Sequence, residues 1–156
     1  MARFQNTQHL FDTIQIDAQG DVTFAGGVEV QGGFVRSVEA VSGADEAVAT
    51  TDSGKTYVQT ASSGTTTFTL PEAAAGLTYT FVCGNAGGEI LVTPQTGDAI
   101  VTKIHAAENG TALAPAAGTG IKNTAATNVA GDAITLTALD DTTWYGTSLI
   151  GLWASQ

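Results

Sequence analysis

The chain has 156 residues; 43% are hydrophobic, only 13% are charged, and 5 Lys and Arg against 15 Asp and Glu leave a net charge of −10. That length suits one domain of ordinary size, or one domain with a short appendage, and the apolar share supplies a core. The same figures exclude an acidic disordered tail, which lacks apolar residues, a nucleic-acid binder, which needs a basic face that five dispersed cations cannot make, and a disulfide scaffold, which needs more than the single Cys83.

Residues 1–13 read as an extended N-terminal arm, with Phe4, Leu10 and Phe11 as apolar points in a polar stretch and no apolar core of a secretory leader. Apolar side chains on a short arm want a surface to cover them. That surface is either another chain or the arm's own domain. Residues 14–38 alternate apolar and polar positions, the period of a strand. Two hexads, Val22 to Gly27 and Val28 to Gly33, each end in Gly-Gly. Strands this short bury little by themselves, so the segment reads as an oligomerisation element. Val22, Phe24, Val28, Val30 and Phe34 would then pack between subunits. The alternative is a meander of hairpins joined at the Gly-Gly turns. Residues 39–55 have no large aliphatic side chain except Val41 and Val48, and read as a linker.

Residues 56–156 alternate repeatedly. Strands are predicted over 56–60, 65–70, 77–83, 89–93, 99–102, 132–139 and 143–150, with 151–153 closing the chain. Turn signals separate them at intervals that suggest a sandwich or barrel. Threonine suits the outer faces, being β-branched yet polar. Residues 72–75, between Pro71 and Gly76, have room for one helical turn at most, and residues 104–120 read as a long loop. The longest apolar run, residues 149–154, is too short to span a membrane. The predicted fold class is all-β: an antiparallel β-sandwich, jelly-roll-like, preceded by the Gly-rich β segment and the arm.

Little in this sequence carries reaction chemistry. His9 and His105 are far apart and without patterned carboxylates. There is no Gly-x-Ser-x-Gly elbow. Gly118-Thr119-Gly120 opens like a dinucleotide fingerprint but has Asn123 where the third glycine belongs. Cys83 continues an apolar alternation and reads as a buried, inert thiol. The acidic pairs Asp17/Asp21, Asp45/Glu46 and Asp140/Asp141 lack the spaced oxygen series that calcium takes from a loop, and aspartates in turns bond their own backbone. Trp144, Tyr145 and Trp153 are either core closers or a sugar platform. No catalytic residue, metal ligand or cofactor is assigned.

The stretch from Thr67 to Val82, the pieces Gly87 to Pro94 and Gly97 to Ile100, and the ending Gly131 to Leu136 followed by Thr143-Trp144-Tyr145 together resemble a β-domain found in small virion proteins of tailed bacteriophages. That group includes capsid decoration (cement) proteins, head fibres and fibre tips, and the Gly-Gly hexads resemble short trimeric β segments of phage fibres. The resemblance implies a homotrimer on the exterior of the capsid, made in the host cytoplasm. Its partners would be the major capsid protein and itself, with no nucleic acid and no membrane. Arg3, Phe4, Leu10 and Phe11 are then the candidate capsid-binding residues. The alternative within the same resemblance is a receptor-binding fibre or tail component that recognises a host surface glycan.

Overall fold

A computed structural model describes residues 14–16, 22–24, 36–102 and 118–156. The chain divides into two compact units, one ending at Val35 and one running from Arg36 to Gln156. In the first, β1 (Ile14–Ile16) and β2 (Val22–Phe24) pair antiparallel, Ile14 opposite Phe24 and Ile16 opposite Val22. The hexad positions after Phe24 lie outside the described residues.

Among its described residues the second unit is built of strands with almost no helix. In order they are β3 (Val38–Val41), β4 (Glu46–Ala47), β5 (Thr56–Gln59), β6 (Thr65–Thr69), β7 (Thr78–Cys83), β8 (Glu89–Thr93), β9 (Ala99–Val101), β10 (Ile121–Asn123), β11 (Ala133–Ala138), β12 (Thr143–Ile150) and β13 (Ala154–Ser155), with one 3-10 turn at Thr50–Asp52. Odd and even strands part company as far as β10. The sheets run β3-β5-β7-β11-β12-β9 and β13-β10-β8-β6-β4. The chain therefore crosses from one layer to the other after each early strand and lays each new coil beside the last.

That winding makes both sheets mixed. β3, β5 and β7 are parallel, as are β4, β6 and β8, and β9 is parallel to β12. β7–β11, β11–β12, β8–β10 and β10–β13 are antiparallel. The expected antiparallel, jelly-roll-like pairing is thus corrected to a mixed one. Alternation reports which face of a strand is buried but is blind to strand direction. Short connections suggested hairpins; here most of them cross to the opposite layer, so successive strands of a sheet point the same way.

Residues 39–55, read as a linker, instead contribute β3 and β4, which pair with β5 and β6. Both lie at sheet edges and are two to four residues long, with one buried side chain between them, Val41. So little buried surface leaves no hydrophobic signal to read.

Inward positions of both sheets meet in one core. Tyr57, Tyr79, Phe81, Ile134, Leu136 and Trp144 come from the six-stranded sheet, and Phe68, Ile90, Val92 and Ile121 from the other. The Phe68 ring bridges the layers, 5.5 Å from Tyr57 and 5.0 Å from Phe81. Tyr79 lies 5.6 Å from Trp144. Each fully buried ring contributes about 1.5–3 kcal/mol of transfer free energy. A bulge at Thr147 lets Thr135 face Ser148 while Leu136 faces Gly146. A side chain at Gly146 would overlap Thr102, so the bulged strand admits only glycine where β9 leaves the sheet.

Candidate functional site

Among the described residues no three His, Cys, Asp or Glu side chains gather where they could hold a metal ion. His9, His105, Asp17 and Asp21 lie outside the described residues. Two of the other acidic residues singled out, Asp45 and Asp140, are engaged in architecture. Asp45 Oδ1 accepts the Thr67 amide at 3.0 Å, tying the approach to β4 onto β6. Asp140 caps its own turn, accepting the Thr142 amide at 2.9 Å and the Thr142 hydroxyl at 3.1 Å, and the amide bond holds its carboxyl below the usual range.

The most connected charged group lies at the crossing into β5. Asp52 accepts from the Tyr57 hydroxyl at 2.8 Å and pairs with Lys55 at 2.7 Å, while Lys55 also reaches Glu39 at 3.0 Å. Burial, and then the hydrogen bond to Asp52, push the Tyr57 hydroxyl far up; burial raises Tyr79 to about 12, and its hydroxyl donates to the Ala49 carbonyl at 3.0 Å. Together these bonds fasten the loop between Ala49 and Lys55 to β3, β5 and β7.

One end of the sandwich is polar inside. Strand register sets Gln59 beside Cys83 in one sheet and aligns Thr66, Ile90 and Asn123 in the other. Asn123 Nδ2 donates to Asp132 Oδ2 at 3.0 Å and to the Leu152 carbonyl at 2.9 Å. The Val129 amide donates to the same Asp132 oxygen at 3.0 Å. Asn128 Nδ2 reaches the Gly88 carbonyl at 2.6 Å, and Gln59 Nε2 the Ala61 carbonyl at 2.8 Å. Gln59 Oε1, Asn123 Oδ1, Asn128 Oδ1 and Thr66 Oγ1 are buried without a protein partner. Three of these four are acceptors only, a composition that ordered water satisfies. The layer ties the two sheets together and includes the Cys83 thiol, which is buried and free.

The aromatic residues settle into the core. Trp144 is fully buried, and Trp153 is 1% exposed with its Nε1 donating to the Ile150 carbonyl at 3.0 Å. A sugar platform needs an open ring face, which neither offers; Tyr145 is half-buried. Thr124, Thr127, Leu152, Trp153 and Ala154 line a shallow recess of about 180 Å³, below the ~300–1,000 Å³ of small-molecule sites.

Of the residues assigned to docking, Arg3, Phe4, Leu10 and Phe11 lie outside the described residues, as do Val28, Val30 and Phe34. Val22 and Phe24 lie in β2, register-paired with Ile16 and Ile14. The buried amides Gln59, Asn123 and Asn128 were missed by the sequence reading. Their one signal is a polar residue at an inward position of a strand, and at Gln59 and Asn123 the alternation around them supplies it. No protein-family model matches the chain, and no curated protein matches it in sequence.

Proposed function

We propose that this protein decorates the assembled head of a tailed bacteriophage, binding the major capsid protein as a homotrimer on the capsid exterior. The reading gives the Arg36–Gln156 unit to display, Arg3, Phe4, Leu10 and Phe11 to capsid contact, and Val22, Phe24, Val28, Val30 and Phe34 to contact between subunits. It assigns no catalytic step and no cofactor.

One observation carries it: the hydrophobic cluster running from Val41 to Trp153 draws both sheets of the Arg36–Gln156 unit into one core supplied by that unit's own described residues. On this reading that unit is the display body, and residues 1–35 are assigned to attachment. Asp45 ties a loop to β6, and Asp140 caps its own turn. The mechanism is linkage. A protein that binds the assembled lattice and not its free parts stabilises the lattice by RT ln(1 + [L]/Kd), about 2.7 kcal/mol per site at a hundredfold excess over Kd.

The test is co-sedimentation with purified heads. Deleting residues 1–12 should abolish head binding while leaving the thermal melt of the body in place. Full occupancy by the truncated chain would refute the arm assignment, and failure of the intact chain to bind heads would refute the decoration reading itself.

A further inference from the structure

We propose that the outer face of the six-stranded sheet is a contact surface for a second copy of this chain, like face on like face. Three properties of the face lead there. The first is its charge. Across β3, β5, β7, β11 and β12 the register aligns Ala40, Val58, Val82, Ala133 and Ile150 in one outward row. Beside it run Thr56, Thr80 and Thr135, and beyond them Thr137, Tyr145 and Val101. None of these positions is buried and none is charged. The outer face of the five-stranded sheet, by contrast, carries Glu89 and Lys122. A chain of net charge −10 repels its own copies wherever acids meet, and like charges brought together across an interface cost several kcal/mol. An uncharged face is where two such chains can touch.

The second property is that four threonine hydroxyls along the central strands β7 and β11 are already paired. Thr80 and Thr135 share a hydrogen bond at 3.0 Å, and Thr78 and Thr137 one at 3.1 Å, with Thr78 Oγ1 also donating to the Leu136 carbonyl at 3.2 Å. Removing water from a hydroxyl that has a partner avoids most of the desolvation penalty of an unpaired one. The central β7–β11 strip can dry without a partner that matches it donor for acceptor, which favours a second sheet over a ligand chosen by hydrogen bonds.

The third is area. Six strands about 4.8 Å apart, over about five residues at 3.3 Å each, give a footprint of roughly 500 Å². Two such faces reach about 1,000 Å², the threshold of a specific interface. Sheets stacked in this way interdigitate Val and Thr side chains about 10 Å apart at about −30°. The contact would cover Ile150 and Val101, which are 59% and 38% exposed. It closes under two-fold symmetry and is separate from the subunit contact assigned to residues 22–34.

The test is the mass of the intact chain in solution, without capsids, by light scattering at micromolar concentration. Val82→Lys and Ile150→Lys should each halve the wild-type mass, while Thr67→Lys on the opposite sheet should keep it; melting midpoints report that each variant folds. Ile150 is the more exposed and stands if Val82→Lys fails to fold. A monomeric wild type, or face variants of unchanged mass, overturns the proposal. So does a mass that falls only when Val22 and Phe24 are replaced. Failure of the wild-type chain to bind heads, with its mass still halved by Ile150→Lys, would refute the decoration reading and leave this contact standing.

Discussion

Asn123 and Asp132 join the two sheets across one end of the sandwich, the amide nitrogen of one 3.0 Å from the carboxylate of the other. Asn123 belongs to β10 in the five-stranded sheet, and Asp132 immediately precedes β11 in the six-stranded one. Asp132→Ala would leave both the Asn123 amide and the Val129 amide without their shared acceptor. The expected loss is about 3 kcal/mol, read as a lower urea midpoint at unchanged slope. Asp132→Asn keeps one acceptor oxygen and should lose less. An unchanged midpoint for the alanine variant would show that the layer does not tie the sheets.

Phe68 sits between Tyr57 and Phe81 with no exposed surface. Phe68→Ala should cost about 3–5 kcal/mol, the transfer free energy of the ring plus the cavity left behind. Thr67→Ala, one residue away on the outer face, should stay within about 0.5 kcal/mol. Equal effects in a denaturant titration would mean that the strand's buried and outer faces had been exchanged.

The Asp52 carboxyl is held below its ordinary value of 3.8, first by Lys55 and then by the Tyr57 hydroxyl. A carboxyl depressed in the folded state contributes stability that is fully present above its unfolded value and lost as pH falls through the folded one. Lys55 is raised above 10.5 by Asp52 and then by Glu39, so its contribution is present below that value and fades as pH climbs through the raised one. Stability should therefore sag on both flanks, below about pH 4 and above about pH 10.5, by modest amounts because the pair is partly exposed. Asp52→Asn should flatten both flanks; urea midpoints across pH measure this, and retained slopes would assign them to other groups.

Burial, and after it the negative charge of Asp132, push the Cys83 thiol up. The thiolate is the reactive form, so a disulfide reagent at pH 8 should leave the folded chain unmodified. One equivalent should react beyond the urea midpoint. Rapid modification without denaturant would contradict the buried position.

The strands with the largest inward side chains were legible in sequence. β7, with Tyr79, Phe81 and Cys83 inward, and β11, with Ile134, Leu136 and Ala138 inward, show the full period-two signal, and their limits agree with the predicted ones to within a residue. β3, β4, β10 and β13 were not, because each is two to four residues long and held by its neighbours rather than by its own apolar stripe. Parallel pairing was invisible for a different reason: direction depends on where a connection goes, and Leu70 to Leu77 reads the same whether it turns back or crosses over. The uncharged face was legible only in pieces. Thr-x-Thr in β7 and β11 announces a soluble strand, but only the register that brings Thr80 onto Thr135 shows that these hydroxyls are paired and that the rows beside them carry no charge.

The coiled path of the early strands also sets the order in which the body can assemble. Among its described strands only β11 and β12 are both consecutive in sequence and hydrogen-bonded to each other. A hairpin of this kind closes in about 1–10 μs, whereas a parallel pair must first close a loop through the opposite layer and is slow for that reason. A ribosome therefore releases β3 to β10 before the one local nucleus exists. On this reasoning β7 should join β11 next, then β5 join β7, with β3 last, so that the sheet grows backward along the chain. Damage near residues 133–150 should accordingly slow refolding out of proportion to the contacts it removes, while an equal loss at β3 should chiefly hasten unfolding.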